Sequence, residues 1–146
     1  MSRIARWTPI VAILAMLALS AQAMAARAPV TASPKRLDFG KVALGQGSVP
    51  QAVLYTNVGP NTVFLTLPSF PDPRWFGSPL LAEQGGIAGC GILQLQPDET
   101  CSMGYVFNPQ EEGRATTKVD MHYNDIAAGR EGDTTVTLVG RGVPAP

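Results

Sequence analysis

From residue 28 onward apolar and polar positions alternate with a period of two, the pattern of strands with one buried face. Leu37 and Phe39 flank Asp38, and Val53 and Tyr55 alternate within residues 51–57. Val63, Leu65 and Leu67 form the next run, and a short apolar stretch at residues 92–95 precedes Pro97. Cys101, Met103, Tyr105 and Phe107 share one face, as do Val119, Met121 and Tyr123, and Val136 and Leu138 close the series before Gly140. Turn residues separate these runs at 45–47, 59–61, 68–73, 97–98, 108–109 and 124–133. About seven short strands with turns between them predict an all-β fold, an immunoglobulin-like antiparallel β-sandwich. Parallel βαβ units would need crossover helices of about a dozen residues. A helical turn fits only at residues 80–86, where Gly85 and Gly86 end it. The alternation assigns Phe39, Val53, Tyr55, Leu65, Met103, Tyr105, Phe107, Val119, Met121 and Leu138 to the core.

The N-terminus follows a different rule. Arg3 and Arg6 precede an apolar run at residues 10–19, and Ala21-Gln22-Ala23 and Ala23-Met24-Ala25 offer small-x-small cleavage sites. That order predicts a signal peptide over residues 1–25 and one domain over residues 26–146. A membrane anchor competes with this reading, since residues 7–26 could just cross a bilayer. Pro9, Ser20 and Gln22 speak against it. No cysteine lies near the cleavage region and no second apolar run follows. The expected product is exported, periplasmic or secreted, with no membrane span in the mature chain.

Composition narrows the function. With Arg3 and Arg6 set aside, nine basic and eleven acidic residues leave a net charge of −2. Nucleic acid is therefore not an expected partner, because phosphate binding draws on Lys and Arg. Charged residues are 15% of the chain, with 15 glycines and 13 prolines, which suits short strands joined by tight turns.

Export would place Cys90 and Cys101 in an oxidising compartment, where such a pair becomes a structural disulfide. A straight hairpin about Pro97-Asp98 would leave them roughly 16 Å apart at strand rise. A disulfide needs Cα atoms within about 7 Å. The chain must therefore fold back before Pro97, and Gly89 and Gly91 give the backbone that freedom.

No residue pattern points to catalysis or to a cofactor. His122 is the one histidine and should face solvent, its neighbours Met121 and Tyr123 being core positions. A catalytic histidine needs a nucleophile and an orienting carboxylate, and nothing in the sequence groups Ser102 or Asp120 with it. A blue-copper site needs two histidines beside a cysteine. Asp125, Glu131 and Asp133 lack calcium-loop spacing, so residues 124–133 read as a solvated loop. The sequence Phe70-Pro71-Asp72-Pro73-Arg74-Trp75-Phe76 is richer. Its aromatics either cap the sandwich or, with Arg74, Trp75 and Phe76, contact a partner. Arg130, in the 124–133 loop, is the other candidate partner contact.

Five segments in order carry a family resemblance. Pro34-Lys35-Arg36-Leu37-Asp38-Phe39-Gly40-Lys41-Val42, with Gly45, resembles the opening of the ASPM–SPD-2–Hydin (ASH) domains, which include the bacterial choice-of-anchor D domains. Thr56-Asn57-Val58-Gly59 resembles their second-strand ending, and Leu95-Gln96-Pro97-Asp98-Glu99-Thr100-Cys101 their Leu-x-Pro-Gly-x-Ser/Thr-Cys segment. Phe107-Asn108-Pro109 with Gly113, and Leu138-Val139-Gly140-Arg141-Gly142, resemble the remaining pieces, so the likeness covers residues 33–143. Asp98 stands where the family has Gly, so a type I turn is expected there rather than type II. The resemblance implies a seven-stranded sandwich related in shape to major sperm protein, serving as a non-catalytic interaction or scaffold module. The expected partner is a protein. A periplasmic chaperone or a subunit of a pilus-like assembly, using sheet edges with residues 28–33 as donor arm, is the alternative. A carbohydrate-binding or inhibitory domain would rest on Trp75, Phe76 and Tyr55, which are scattered.

Overall fold

The last alternating runs build the frame of the molecule. β7 (Gly113–Asp125) and β8 (Arg130–Val143) pair without a break from Gly113↔Gly142 to Asp125↔Arg130. This computed structural model describes residues 27–66, 68, 71–77, 89–91 and 94–146. The leader, the helical turn at residues 80–86, Leu67, Phe70 and the first half of the 92–95 run lie outside the described residues.

β2 (Arg36–Ala43) adds to β8, and β4 (Val63–Thr66) with β5 (Gln94–Leu95) extends the sheet beyond β7, giving the order β2-β8-β7-β4-β5. A second sheet has the order β1-β3-β6, from β1 (Val30–Ser33), β3 (Gln51–Asn57) and β6 (Thr100–Tyr105). The two sheets enclose one core, as the alternation predicts, and all ten candidate core residues are buried.

One pairing departs from the antiparallel rule. β1 lies antiparallel to β3, and the chain then changes sheets at Pro34 without reversing. β2 therefore arrives parallel to β8. The same switch corrects the donor-arm expectation. Residues 30–33 are already paired inside their own sandwich, and the Thr134 hydroxyl donates to the Val30 carbonyl at 3.0 Å.

The 124–133 loop is also corrected. Strand pairing runs through Asp125 and resumes at Arg130, so only residues 126–129 turn. Polar residues on the solvent side of a half-buried strand read like a loop. Asp125 is buried rather than solvated, and its carboxylate accepts from Asn61 Nδ2 at 3.2 and 3.3 Å and from the Ala128 N–H at 3.0 Å.

The turn at Pro97-Asp98 links β5 in one sheet to β6 in the other. Its Glu99 N–H donates to the Gln96 carbonyl at 3.0 Å, and Asp98 takes a φ of 63°. A positive φ at the third position belongs to type II, so the type I expectation was mistaken. The corner between the sheets fixes this geometry whether or not glycine occupies it. Left-handed backbone costs an L-residue roughly 1–2 kcal/mol, somewhat less for Asp. Asp98→Gly should thus stabilise the fold by about 0.5–1 kcal/mol after the added flexibility of the unfolded chain is deducted. Urea unfolding of the two proteins measures it, and an unchanged or lower midpoint would contradict the strain argument.

Deep in the core the Tyr55 and Tyr105 hydroxyls lie 3.3 Å apart. Burial first, and then its tyrosine neighbour, push Tyr55 well above the ordinary tyrosine range. Burial also raises Tyr105, partly offset by its hydrogen bond with Tyr55. Unfolded tyrosines ionise near pH 10 while the folded pair keeps its protons. The unfolded state then binds fewer protons, so stability falls as pH rises past about 10. A denaturant midpoint that declines above this pH, with the decline reduced in Tyr55→Phe, is the expected titration result.

Candidate functional site

Residues 71–77 form a built corner at one end of the sandwich. Asp72 organises it. Its side chain accepts the Arg74 N–H at 3.0 Å, and its carbonyl accepts the N–H groups of Trp75 at 3.1 Å and Phe76 at 2.9 Å. The Arg74 guanidinium grips the same carboxylate, with Nη2 2.6 Å from Oδ2, and reaches Glu111 at 3.9 Å. Hydrogen bonding from Arg74 holds the Asp72 carboxyl below its ordinary range, and Asp72 in turn raises Arg74. The charge pair is exposed, so its contribution is positional more than energetic.

The corner then lies along residues 106–110 like a short extra strand. The Gly77 N–H donates to the Val106 carbonyl, that of Asn108 to Trp75, and that of Gln110 to Arg74, all within 2.8–3.0 Å. Phe76 is 3% exposed and tilts against Phe107 at 5.2 Å. Phe76 is therefore core, and its place among partner contacts is corrected: an aromatic sealed against Phe39 and Phe107 presents no face to a partner. Trp75 is only half-buried, stacked nearly parallel on Phe107 at 6.2 Å. Arg74 is exposed. A cleft of about 240 Å³ opens beside Trp75, between Asp72 and β7 at residues 114–117. Arg130 stands apart from this corner, exposed at the first position of β8.

Cys90 and Cys101 form the expected disulfide, with Cα atoms 4.9 Å apart. The fold-back is explicit. The Cys90 N–H donates to the Ser102 carbonyl, and Gly89 bridges Ser102 in parallel, beside β6. By Leu95 the chain has crossed to the other sheet. The bond closes a loop with ends 11 positions apart, which constrains the unfolded chain by somewhat under ~3 kcal/mol.

His122 faces outward and meets Asp133 across the strands, its Nδ1 3.0 Å from a carboxylate oxygen. Ser102, the hydroxyl that a catalytic reading would want, is buried on β6, away from that pair. Among the described residues no three His, Cys, Asp or Glu side chains gather as a metal site. Among them, too, no helix is long and apolar enough to cross a membrane.

Sequence reasoning missed two polar residues that shape this architecture. Asn57 is fully buried, its amide donating to the carbonyls of Asn61 at 2.7 Å and Leu95 at 3.0 Å while its oxygen accepts from the Gly59 N–H at 2.9 Å. Asp125 plays the matching role at the β7–β8 turn. The available signal was position: Asn57 continues the inward phase of Val53 and Tyr55.

The chain matches no family model, and no curated protein sequence matches it. Solved structures show its likeness by shape. It is similar to the VesB protease of Vibrio cholerae, at 19% identity and a TM-score of 0.60, over 77% of this chain and 32% of that one. It is similar to the ASH / PapD-like domain 7 of human CEP192, at 15% identity and a TM-score of 0.55, over 81% of this chain and 87% of that one. It is also similar to the YadV chaperone, at 10% identity and a TM-score of 0.51, over 82% and 53% of the two chains. The chain spans about a third of the VesB chain. At such identities the likeness is one of fold, and it agrees with an immunoglobulin-like sandwich of ASH and PapD-like shape.

Proposed function

We propose that this chain is an exported, non-catalytic protein-interaction module of the cell envelope or exterior, of the choice-of-anchor D kind, with residues 1–25 as its leader and residues 26–146 as its domain. The observation that carries the reading is the preorganised corner at residues 71–77. A half-buried tryptophan stacked on the core, an arginine fixed beside it and a cleft at its flank make an anchor whose ordering cost is already met within the fold. The disulfide fits an oxidising compartment. PapD-like shape is compatible with protein binding, though fold alone does not assign a role. The likeness to a protease is one of shape, over 32% of that chain.

The test is capture of envelope proteins by the tagged protein, with Arg74→Glu and Trp75→Ala compared against wild type. Arg74→Glu should remove specific partners without lowering the melting temperature by more than a few degrees. Trp75→Ala should remove them too, with some loss of stability because it uncovers Phe107. Identical capture by all three proteins would defeat the reading. The chaperone or pilus-subunit alternative, which would use sheet edges, predicts instead that capture ignores this corner and depends on an edge strand, β1, β2, β5 or β6.

A further inference from the structure

The outer face of the larger sheet carries a charge pattern that the fold itself does not need. Strand register sets Lys41 of β2 opposite Arg141 of β8, and Arg141 opposite Arg114 of β7. Three exposed cations therefore stand side by side across three strands. Like charges directly opposite one another destabilise a sheet. Four residues along β8, Thr137 is flanked in the same way by Arg36 on β2 and Lys118 on β7.

The acid between these two rows is Asp38, and it is already engaged. Its Oδ1 accepts the Gly40 N–H at 2.9 Å, and its Oδ2 lies 3.7 Å from Arg36. Among the described residues no carboxylate lies within ion-pair distance of Lys41, Arg114 or Arg141. A depression of about 250 Å³ opens at this place, lined by those three cations, Asp38, Val139 and Gly140. The chain as a whole is electrically balanced, so the concentration of positive charge is local.

We propose that this face binds an acidic, extended segment of a protein partner. Neighbouring strands lie about 4.8 Å apart, and four residues along a strand span about 13 Å. The five cations are thus spread over a flat area of roughly 10 by 13 Å. A single phosphate would be served by converging donors and free backbone N–H groups, whereas these cations are spread over three strands and the Gly40 N–H, at the irregularity between Asp38 and Lys41, is already taken by Asp38. An extended peptide projects alternate side chains to one side every 6–7 Å or so. Carboxylates four residues apart on it would meet both cationic rows. Arg114 also lines the cleft beside Trp75, so the face and the corner are continuous. The proposal rests on the protein-binding reading above and names the chemistry of its partner.

The test uses the purified protein and a fluorescent peptide of alternating Glu and Thr, read by anisotropy, with a Gln-Thr peptide as its uncharged counterpart. Binding of the Glu peptide alone, weakening as salt is raised, is the expected result. The double change Arg114→Thr with Arg141→Thr should weaken it about tenfold. The same change should leave the melting temperature level or raise it, since repulsion between like charges is removed. Lys41→Gln on the edge strand gives the same readout should the double variant fold poorly. Equal binding of the two peptides, or unchanged binding by the variants, overturns the proposal. Tighter binding of inorganic pyrophosphate or of phosphatidylglycerol vesicles than of the Glu peptide also overturns it and assigns the face to phosphate. Peptide failure alongside Arg74-dependent capture sinks this proposal alone, whereas loss of specific capture sinks the broader reading.

Discussion

Phe107→Ala should lower the unfolding free energy by about 3–5 kcal/mol and the melting temperature by roughly 10–20 °C. Phe107 is fully buried and touches Phe39 at 6.1 Å, Trp75 at 6.2 Å and Phe76 at 5.2 Å between ring centroids. Truncation removes the transfer energy of one large ring and leaves a cavity whose walls belong to three different elements. The opposite wall cannot refill it: Gly140 lies under the ring, so closely that a Cβ there would come within 2.6 Å of it. The site is thus held from both sides, and Gly140 is required for the ring to fit. Trp75 supplies the readout, because with Trp7 in the leader it is the one tryptophan of residues 26–146. Its emission should shift to longer wavelength as its stacking partner disappears. Phe107→Leu, which keeps most of the volume, should cost less than half as much. An alanine variant within 1 kcal/mol or so of wild type would mean that the corner can collapse into the gap.

Asn57→Ala should be the most damaging polar substitution, at about 3 kcal/mol. Three side-chain hydrogen bonds disappear, and the Leu95 carbonyl and Gly59 N–H lose their partner at a fully buried position. Each orphaned buried group costs roughly 1–3 kcal/mol, which outweighs the small net value of any one bond. Asn57→Asp separates donor from acceptor. The aspartate still accepts from Gly59 but cannot donate to two carbonyls, so it should be no better than alanine. The backbone of Asn57 holds the Pro97-Asp98 corner as well, accepting from the Asp98 N–H at 2.9 Å and donating to Glu99 at 3.0 Å. Hydrogen exchange at Asp98 and Gly59 should accelerate in the alanine variant ahead of exchange in the β7–β8 ladder. Uniform acceleration everywhere would show that Asn57 acts only on global stability.

The strands were legible because alternation reports which face is buried, and residues such as Val119, Met121 and Leu138 obey it. Pairing partners were less legible. Nothing in residues 36–43 says that this run will lie parallel to β8, because that depends on a sheet switch at Pro34 that alternation does not encode. Glu131 and Asp133 looked like loop residues since polarity on an outer face and polarity in a turn are the same composition, whereas Asp125 is buried with bonds to Asn61 and Ala128, which no local pattern shows. Asp98 was misread for a related reason: the sequence shows a non-glycine residue, and tertiary context imposes the left-handed backbone regardless. Of the candidate site, Arg74 and Trp75 were readable as an aromatic–basic cluster, while Phe76 could not be separated from them until packing assigned it inward. The row Lys41–Arg141–Arg114 spans three strands whose registers must be known first, so no single stretch of sequence displays it.

The order in which the larger sheet assembles has a consequence for biosynthesis. Its two central strands, β7 and β8, come after every strand that docks on them. A chain emerging from a ribosome therefore has β4 waiting for its partner in β7 until residue 125 is out, and β2 waiting for β8 until residue 143 is out. Completion of the larger sheet, and with it closure of the single core, is thereby deferred until a hairpin of short contact range forms at the end. A chain destined to pass through a narrow translocation channel would be well served by that delay.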